Sequence, residues 1–596
     1  MRRWLVVVAV MVLAVVEAGS VGAEENSSQR DRLYEIFDRI WAWQLNSFPE
    51  FATYVGVPGH DDRWTDESLE AIAQRQRDQR QFLAELEAVD SSGLDSAAQL
   101  DRELILKSFQ SDIDGFQFHS EYLVLNQLGG VHLDVPQQMA SMPANSIRDF
   151  ENRLARLRAV PVLIEQTRVL LDLGLSAGIT PPRITLRDVP EQIRKLITED
   201  PADSPILISF FEIPDEFSAK ARVRLQLKAK RVLVDDVYPA YRGLLDYIEQ
   251  KYLPGARETI GLSSMPNGEN WYAYNARYHT TTDLTPEEIH EIGLAEVTRI
   301  RSEMDKIIRD LGFDGSFSEF ATFLRSDPQF YFDTQEEFLT AYRAICKRAD
   351  PELVRLFGTL PRLPYGVKPV PDYMDKSAPT AYYEPGSLAA GRPAAFFANT
   401  YDLATRPSWE MEALSLHEAV PGHHLQIALA QELEDTHDLL KHNFYTAFVE
   451  GWGLYAESLG EEMGFYQNPY SKFGRLTYEI WRAIRLVVDT GIHALGWSRE
   501  QAIDFFRQNA PKTEHDIIVE VDRYIVWPGQ ALAYKIGELK IQELRAQAQR
   551  RLGSAFDIRS FHDEVLLRGA MPLDVLDQRI QAWVERVGAA KFEVKR

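Results

Sequence analysis

Residues 417–424 read HEAVPGHH, and this stretch dictates how the helices around it must be arranged. The whole chain has only 13 histidines, yet three of them fall within this short segment. Pro421 lacks the N–H that would bond the carbonyl of His417, and its ring clashes with that carbonyl. Gly422 then permits backbone angles that other residues avoid. We therefore predict a helix that breaks between His417 and the histidines that follow.

The pair His417-Glu418 is typical of zinc peptidases, in which the histidine binds the metal and the glutamate acts as general base. Those sites place a second histidine at i+4, whereas here the next are His423 at i+6 and His424 at i+7. On a regular helix, i+6 points about 120° away and i+7 lies about 10.5 Å along the axis. A broken turn could rotate His423 back, so we favour it as the second ligand. His424 is the alternative; whichever is not the ligand would donate a hydrogen bond to substrate or to a ligand.

The third ligand must come from elsewhere, because catalytic zinc usually takes three protein ligands and one water. The best candidate is Glu450, in the apolar segment FVEGWGLYAE at residues 448–457. A carboxylate between Val449 and Trp452 is expensive to bury unless it is paired or bound to a metal. Glu457 could lie behind the ligands and orient one of them. An ordinary helix carboxylate is the alternative interpretation of Glu450.

A further helical segment, residues 481–495, carries Arg482, Arg485, Asp489 and His493 at spacings of three and four. Such spacings place all four side chains on one face. Arg485 could hold a substrate carboxylate through two hydrogen bonds. Asp489 could orient His493 close to the site. A salt-bridge network between helices explains the pattern equally well.

Four more residues complete the candidate site. Tyr524 or Tyr534 could donate a hydrogen bond to an oxyanion as its charge develops, although each could equally be a structural tyrosine. Arg392 and Asn399 are assigned to substrate binding. The strand-like piece from Ala394 to Thr400 could pair with an extended peptide.

Composition excludes several classes of protein. The 596 residues are 45% hydrophobic and 26% charged, which is typical of a folded globular chain. The formal net charge of -24 argues against nucleic acid as a partner, since such proteins present a basic face. Cys346 is the sole cysteine, so neither an intrachain disulfide nor a cysteine-rich metal site can form.

The first 23 residues have the pattern of a signal peptide. Two arginines precede an apolar run from Leu5 to Val16, and small residues end at Ala23. The run is too short for a membrane span, and no cysteine follows it to carry a lipid anchor. We expect a soluble mature protein, periplasmic or secreted, without membrane association.

The rest of the chain predicts a mainly α protein. Residues 24–270 form an N-terminal helical part, with apolar residues at mixed spacings of three and four. Residues 271–596 form a C-terminal catalytic part, in which Thr285, Pro286 and Glu288 mark the start of a helix. Between about 365 and 400, short strand-like pieces predict a small antiparallel sheet before the HEAVPGHH helix. We expect one continuous unit with a central cleft.

Six segments of the chain carry a family resemblance: HEAVPGHHLQ (417–426), FVEGWGLYAE (448–457), RAIRLVVDTGIHALG (482–496), WPGQALAYKIG (527–537), 278–293 and 391–399. Together they resemble the bacterial family known as domain of unknown function 885 (DUF885). The resemblance covers roughly residue 30 to the C-terminus. It implies a mostly helical, zinc-metallopeptidase-like fold that is distantly similar to the gluzincins. In that group a glycine often precedes the second histidine, as Gly422 precedes His423 here.

Three functions fit these residues. The first is an exported peptidase for short peptides, with Zn²⁺ held by His417, His423 and Glu450 and with Glu418 as general base. The second keeps the zinc but hydrolyses non-peptide amides or esters. The third is a non-catalytic exported binding protein on the same scaffold, which would bind no zinc or leave it no open coordination position.

Overall fold

The structure, a computed structural model, describes residues 29–371, 375, 379–387 and 392–593. The predicted signal peptide, residues 1–23, lies outside this part of the chain. Among the described helices, none combines the length and the apolar composition that a bilayer crossing requires.

Helices occupy most of the chain before residue 256, as the periodicity of apolar residues predicts. Their starts follow local capping chemistry: the side chains of Ser68, Asp95 and Ser146 each accept a hydrogen bond from a backbone N–H of the first turn. The longer helices span 29–47, Pro49–Val55, Leu69–Glu87, Ser96–Gly115, Val131–Ser141, Ile147–Ala177, Val189–Leu196, Ala219–Val232 and Tyr238–Tyr247.

Two apolar clusters pack these helices. One lies within the N-terminal region and is built around Phe150, Phe210 and Tyr241. The other joins Phe37 of the first described helix to Trp583 near the end of the chain. The first described helix therefore packs into the same apolar core as the C-terminal helices.

Eight helices of the C-terminal region surround the candidate site. Thr285 caps the second of them, and its partner Glu288 completes the predicted capping box. The eight are α1 (Gly268–Thr280), α2 (Pro286–Asp310), α3 (Met411–Glu418), α4 (His423–Gln431), α5 (Thr446–Leu459), α6 (Pro469–His493), α7 (Glu514–Val526) and α8 (Ala533–Leu552). Other helices of the region are Phe317–Ser326, Gln335–Ala349, Leu353–Leu356, Asp438–Lys441, Arg499–Asn509, Ile558–Leu566 and Leu573–Glu593.

A small sheet precedes α3, which confirms the predicted fold class of a mainly helical body with a small sheet. Its strands are β1 (Tyr365–Pro369), β2 (Ala381–Glu384) and β3 (Ala394–Ala398), in the order β1-β3-β2. The prediction that the sheet is purely antiparallel is wrong: β3 runs antiparallel to β2 but parallel to β1. β1 and β2 follow each other in the sequence but are not neighbours in the sheet, because β3 lies between them, and nothing in the local sequence reveals that order.

The central position of β3 overturns a further expectation. Because β3 is paired along both sides, its backbone has no free edge on which an extended peptide could add. Within the described part of the sheet, the open edges belong to β1 and β2.

Helices α5 and α8 cross where each carries a glycine, so that their backbones are in direct contact. A Cβ atom at Gly451 of α5 would lie 2.5 Å from the Cα of Gly537 on α8. A Cβ atom at Gly537 would lie 2.0 Å from the carbonyl oxygen of Ala447. Both distances are far below an ordinary carbon contact, so only glycine fits at either position.

Candidate metal centre

The HEAVPGHH segment forms two helices with a break between them, as the proline and glycine predict. Helix α3 ends at Glu418 and α4 begins at His423. Within the break, a Cβ atom at Gly422 would lie 1.8 Å from the carbonyl oxygen of His417, so no larger residue fits. The indole N–H of Trp452 on α5 donates to the carbonyl of Pro421 at 2.8 Å and ties the break to that helix.

The break brings three side chains to one point. His417, His423 and Glu450 each offer a ligand atom, and these atoms all lie within 4.8 Å of one another. The Oε2 atom of Glu450 lies 3.5 Å from Nε2 of His423 and 3.7 Å from Nε2 of His417. Ligands bonded tetrahedrally to zinc at about 2.0–2.1 Å are about 3.3–3.4 Å apart. The donor set and its spacing therefore fit a zinc ion with one position left for water.

Glu457 orients the first histidine of this triad. Its Oε1 atom lies 2.8 Å from Nδ1 of His417, and both side chains are buried. A proton on Nδ1 that donates to Glu457 leaves the lone pair of Nε2 directed at the triad. Gly453 makes room for the ring, because a Cβ atom there would lie 2.8 Å from the Cε1 atom of His417.

The field at the triad attracts a cation. Burial alone would lower the pKa of His417, but the carboxylates of Glu450 and Glu457, with Glu418 nearby, raise the pKa to about 10. Although burial opposes it, hydrogen bonding to His417 and His423 holds the pKa of Glu450 well below its usual range. Three carboxylates around one imidazole favour a divalent ion in the space that they share.

Glu418 has the properties that a general base requires. Burial raises the pKa of its carboxyl group, while the neighbouring histidines oppose that shift. Among the described residues, no side chain or backbone group forms a hydrogen bond or an ion pair with its carboxylate. The carboxylate therefore remains available to a ligand beside the triad.

His424 points away from the triad, so its predicted role in catalysis is corrected. Its Nδ1 atom lies 3.1 Å from the hydroxyl of Tyr383 on β2, and its ring packs against Tyr365 on β1 at 4.5 Å. Burial lowers the pKa of His424 to about 4. On a helix, adjacent residues diverge by about 100°, so α4 can direct only one of this pair to the metal.

The predicted catalytic role of His493 is also corrected. Its Nδ1 atom accepts a hydrogen bond from the backbone N–H of Leu262, and its Nε2 atom lies 2.9 Å from the carbonyl of Tyr524. Asp489 does not orient it, because that carboxylate accepts from the hydroxyl of Tyr272 and from the N–H of Gly529. Both side chains fasten α6 to its neighbours.

A cationic cluster lies on the other side of Glu457. The guanidinium of Arg482 is 3.8 Å from the Glu457 carboxylate. Arg485 donates to Glu520 and to the hydroxyl of Tyr524, both at 3.1 Å. Tyr524 in turn donates to Glu520 at 2.7 Å, so its proton is already used and it is not free to stabilise an oxyanion.

Tyr534 also contacts this cluster. Its hydroxyl accepts from Arg523 at 3.3 Å, and the guanidinium of Arg485 lies 4.4 Å from the centre of its ring. Buried nitrogen atoms of Arg482, Arg485 and Arg523 have no hydrogen-bond partner among the described residues. Three guanidiniums with incomplete hydrogen bonding suit an anion such as a carboxylate.

The two remaining predicted substrate residues lie elsewhere. Asn399 is fully buried, and its amide donates to the carbonyls of Asp375 and Pro379, so it holds the loops beside the sheet together. The assignment of Asn399 to substrate binding is therefore wrong. Arg392 is exposed in the connection between β2 and β3, where it donates to the carbonyl of Pro385.

Sequence reasoning did not identify the residues that line a cleft of about 670 Å³ between the N-terminal helices and the C-terminal region. Asp112 of the N-terminal helices and Trp527 of the C-terminal region both line it. His279 of α1 also lines it, and its Nδ1 atom lies 3.4 Å from the hydroxyl of Thr446, the first residue of α5. Glu450 follows one helical turn later. No sequence motif surrounds Asp112. The only sequence signal is that it lies on an amphipathic helix, Ser96–Gly115.

Replacing Glu457 by glutamine should weaken zinc binding by about 10–100-fold, the usual effect of losing a ligand's supporting carboxylate. The neutral amide would still accept a hydrogen bond from His417, but the negative charge beside the triad would be lost. Zinc affinity measured by competition with a chelating dye tests this. Glu461→Gln, at an exposed position just beyond α5, is the control. Equal affinity in the Glu457 and Glu461 variants would contradict the assigned role.

Comparison with known proteins identifies one family. The profile described as a bacterial protein of unknown function (DUF885) matches residues 49–580. No curated protein sequence gives a significant match.

Solved structures with a similar fold include two bacterial proteins. A candidate lipoprotein from Colwellia psychrerythraea has a TM-score of 0.88 at 27% identity, over 94% of this chain and 99% of its own. A candidate lipoprotein of unknown function from Shewanella oneidensis has a TM-score of 0.67 at 17% identity, over 92% and 99%. An M32 carboxypeptidase from Deinococcus radiodurans R1 has a TM-score of only 0.35 at 11% identity, over 95% and 98%, too low to establish a shared fold.

Proposed function

The chain belongs to the bacterial DUF885 family, and from that premise we propose that it is an exported zinc-dependent peptidase that hydrolyses short peptides. One observation carries the proposal. The imidazoles of His417 and His423 and the carboxylate of Glu450 meet at zinc-ligand spacing, with the uncommitted carboxylate of Glu418 beside them.

The chemistry follows from the residues around that point. Zinc held by the triad would supply an acidified water and a polarised carbonyl. Glu418 would accept a proton from the attacking water and pass it to the leaving amine. Its raised pKa makes the second transfer easier than it would be for an ordinary carboxylate.

The cationic cluster would orient the substrate. The hydroxyl of Tyr534 accepts from Arg523, and its own proton has no acceptor among the described residues, so it can donate to a developing oxyanion. Arg485 has an unpartnered Nη1 atom that can donate to a substrate carboxylate. The cleft, at about 670 Å³, is of a size for short peptides and not for folded proteins.

Export rests on the N-terminal sequence pattern and on the relatives. The residues up to Ala23 have the charge and apolar pattern of a signal peptide. Both structural relatives from Colwellia and Shewanella are described as candidate lipoproteins, a class of exported protein. We propose a periplasmic or secreted location.

The test is hydrolysis of a short-peptide library by the purified full chain, followed by mass spectrometry. We expect cleavage that stops after zinc is removed by a chelator and returns when zinc is restored, because the triad supplies the only proposed source of activated water. The same protein is offered simple esters and acyl amino acids. Faster turnover of those compounds would favour the non-peptide hydrolase, and absence of bound zinc would favour the binding protein.

A further inference from the structure

The cleft contains a carboxylate without a counter-charge. Asp112 accepts a hydrogen bond from the amide of Gln79 at 3.2 Å. Among the described residues, no arginine, lysine or histidine forms an ion pair with it. Burial raises its pKa to about 6, so at neutral pH the group is still largely ionised in a partly dry setting. A charge held in this way is costly unless a ligand neutralises it.

Aromatic rings share the cleft with this carboxylate. Tyr274, Tyr278, Trp271 and Trp527 line the same cleft. Tyr278 and Trp527 are each 42% exposed, which is unusual for rings of this size, and the guanidinium of Arg523 lies over the Trp527 ring at 5.4 Å from its centre. The negative face of an aromatic ring attracts a cation, most strongly where water is partly excluded. A carboxylate among aromatic rings suits an alkylammonium group.

The cleft also lies near the start of α5, the helix that carries Glu450. Tyr445 immediately precedes α5, and its phenol is close enough to Asp112 for the carboxylate to help raise its pKa. On the same side, His279 contacts Thr446. From the start of α5, Glu450 lies about 6 Å along the helix axis. A ligand in the cleft would therefore lie near the first turn of α5, about one turn before Glu450.

We propose that this cleft binds a primary ammonium group of the substrate, with Asp112 as its counter-ion and the aromatic rings as its walls. The inference rests on the proposed peptidase function for the identity of the substrate, but not for the binding itself. The ammonium belongs either to a free amino terminus or to a lysine side chain. Both sources present the same chemistry to Asp112.

Binding of phenethylammonium to the full-length, zinc-loaded protein, measured by calorimetry at pH 8, tests the site directly. We expect Asp112→Asn to weaken binding by about tenfold or more, since it removes the charge but keeps the shape. Asp114→Asn, at an exposed position two residues along the same helix, should leave binding unchanged. Binding of the neutral 2-phenylethanol should be the same in all three proteins. Equal phenethylammonium binding in wild type and Asp112→Asn would overturn the proposal.

Peptide kinetics then identify the source of the ammonium. If it is the amino terminus, N-acetylation should raise KM about tenfold in wild type and have little effect in Asp112→Asn. If it is a lysine side chain, replacing that lysine by norleucine should instead raise KM about tenfold in wild type and have little effect in Asp112→Asn. Asp112-dependent binding without any peptide turnover would contradict the peptidase function alone. Turnover that is indifferent to both changes would contradict the ammonium site alone.

Discussion

Replacing Glu418 by glutamine should lower kcat for peptide hydrolysis by about 10²–10⁴-fold, the range expected when a positioned general base is lost. Zinc content should stay at about one ion per chain, because His417, His423 and Glu450 are untouched and Glu418 is not needed to complete the usual set of three ligands. Steady-state kinetics and elemental analysis of the same preparation measure the two quantities together.

The control for this variant is Glu434→Gln, which makes the same chemical change at an exposed position after α4. It should leave both activity and zinc content unaltered. Full activity in Glu418→Gln would remove the proposed mechanism. Loss of zinc from that variant would instead mean that Glu418 belongs to the ligand set.

The two adjacent histidines of α4 should give opposite results. His423→Ala should bind zinc more weakly than wild type by more than about 10–100-fold, the loss expected when only a ligand's hydrogen-bond partner is removed. Its peptidase activity should fall together with its zinc content. His424→Ala should keep its zinc, because its ring is directed at the sheet and pairs with Tyr383. It should instead lose about 1–3 kcal/mol of stability through the hydrogen bond and the packing that it removes.

Metal titration and thermal unfolding of both variants, with and without zinc, separate these effects. Zinc should raise the melting temperature of wild type and of His424→Ala, but not that of His423→Ala, because a ligand stabilises only a protein that binds it. If His424→Ala loses the metal and His423→Ala retains it, then the ligand assignment is reversed.

The helical part of the fold was largely predictable because its signals are local. The capping box of Thr285 and Glu288 depends on residues three apart, and it lies in the structure where the sequence predicts it. The sheet was only partly predictable. Its three strands are visible as short segments, but their order depends on β3 lying beside β1, and no local feature encodes that pairing.

The candidate site was likewise predictable where its signals are local and less so where they depend on distant partners. Pro421 and Gly422 predict the break, and the structure brings His417, His423 and Glu450 together across it. The arginine and tyrosine roles were harder to predict, since helical spacing shows a shared face but not the partners on it. Tyr524 is an example, because its proton is used by Glu520, which lies one turn away on the same helix.

His493 and Asp112 show the limits of sequence reasoning most clearly. A polar residue on a buried face can satisfy backbone groups, as His493 does with Leu262 and Tyr524. The reverse holds for Asp112, whose sequence neighbours are unremarkable for a helix and whose setting is created by residues far along the chain. Whether a buried polar group is already hydrogen-bonded or is free to bind a ligand depends on how distant segments pack around it.

The close contact between Gly451 of α5 and Gly537 of α8 fixes how near these two helices lie at the candidate metal centre. A methyl group on Gly451 would sit 2.5 Å from Gly537, and restoring an ordinary carbon contact would push the helices apart by about 1 Å. Zinc–ligand bonds tolerate only about 0.2 Å. The distance from Glu450 to the two histidines is therefore set by direct backbone contact between α5 and α8, and not by side-chain packing between them.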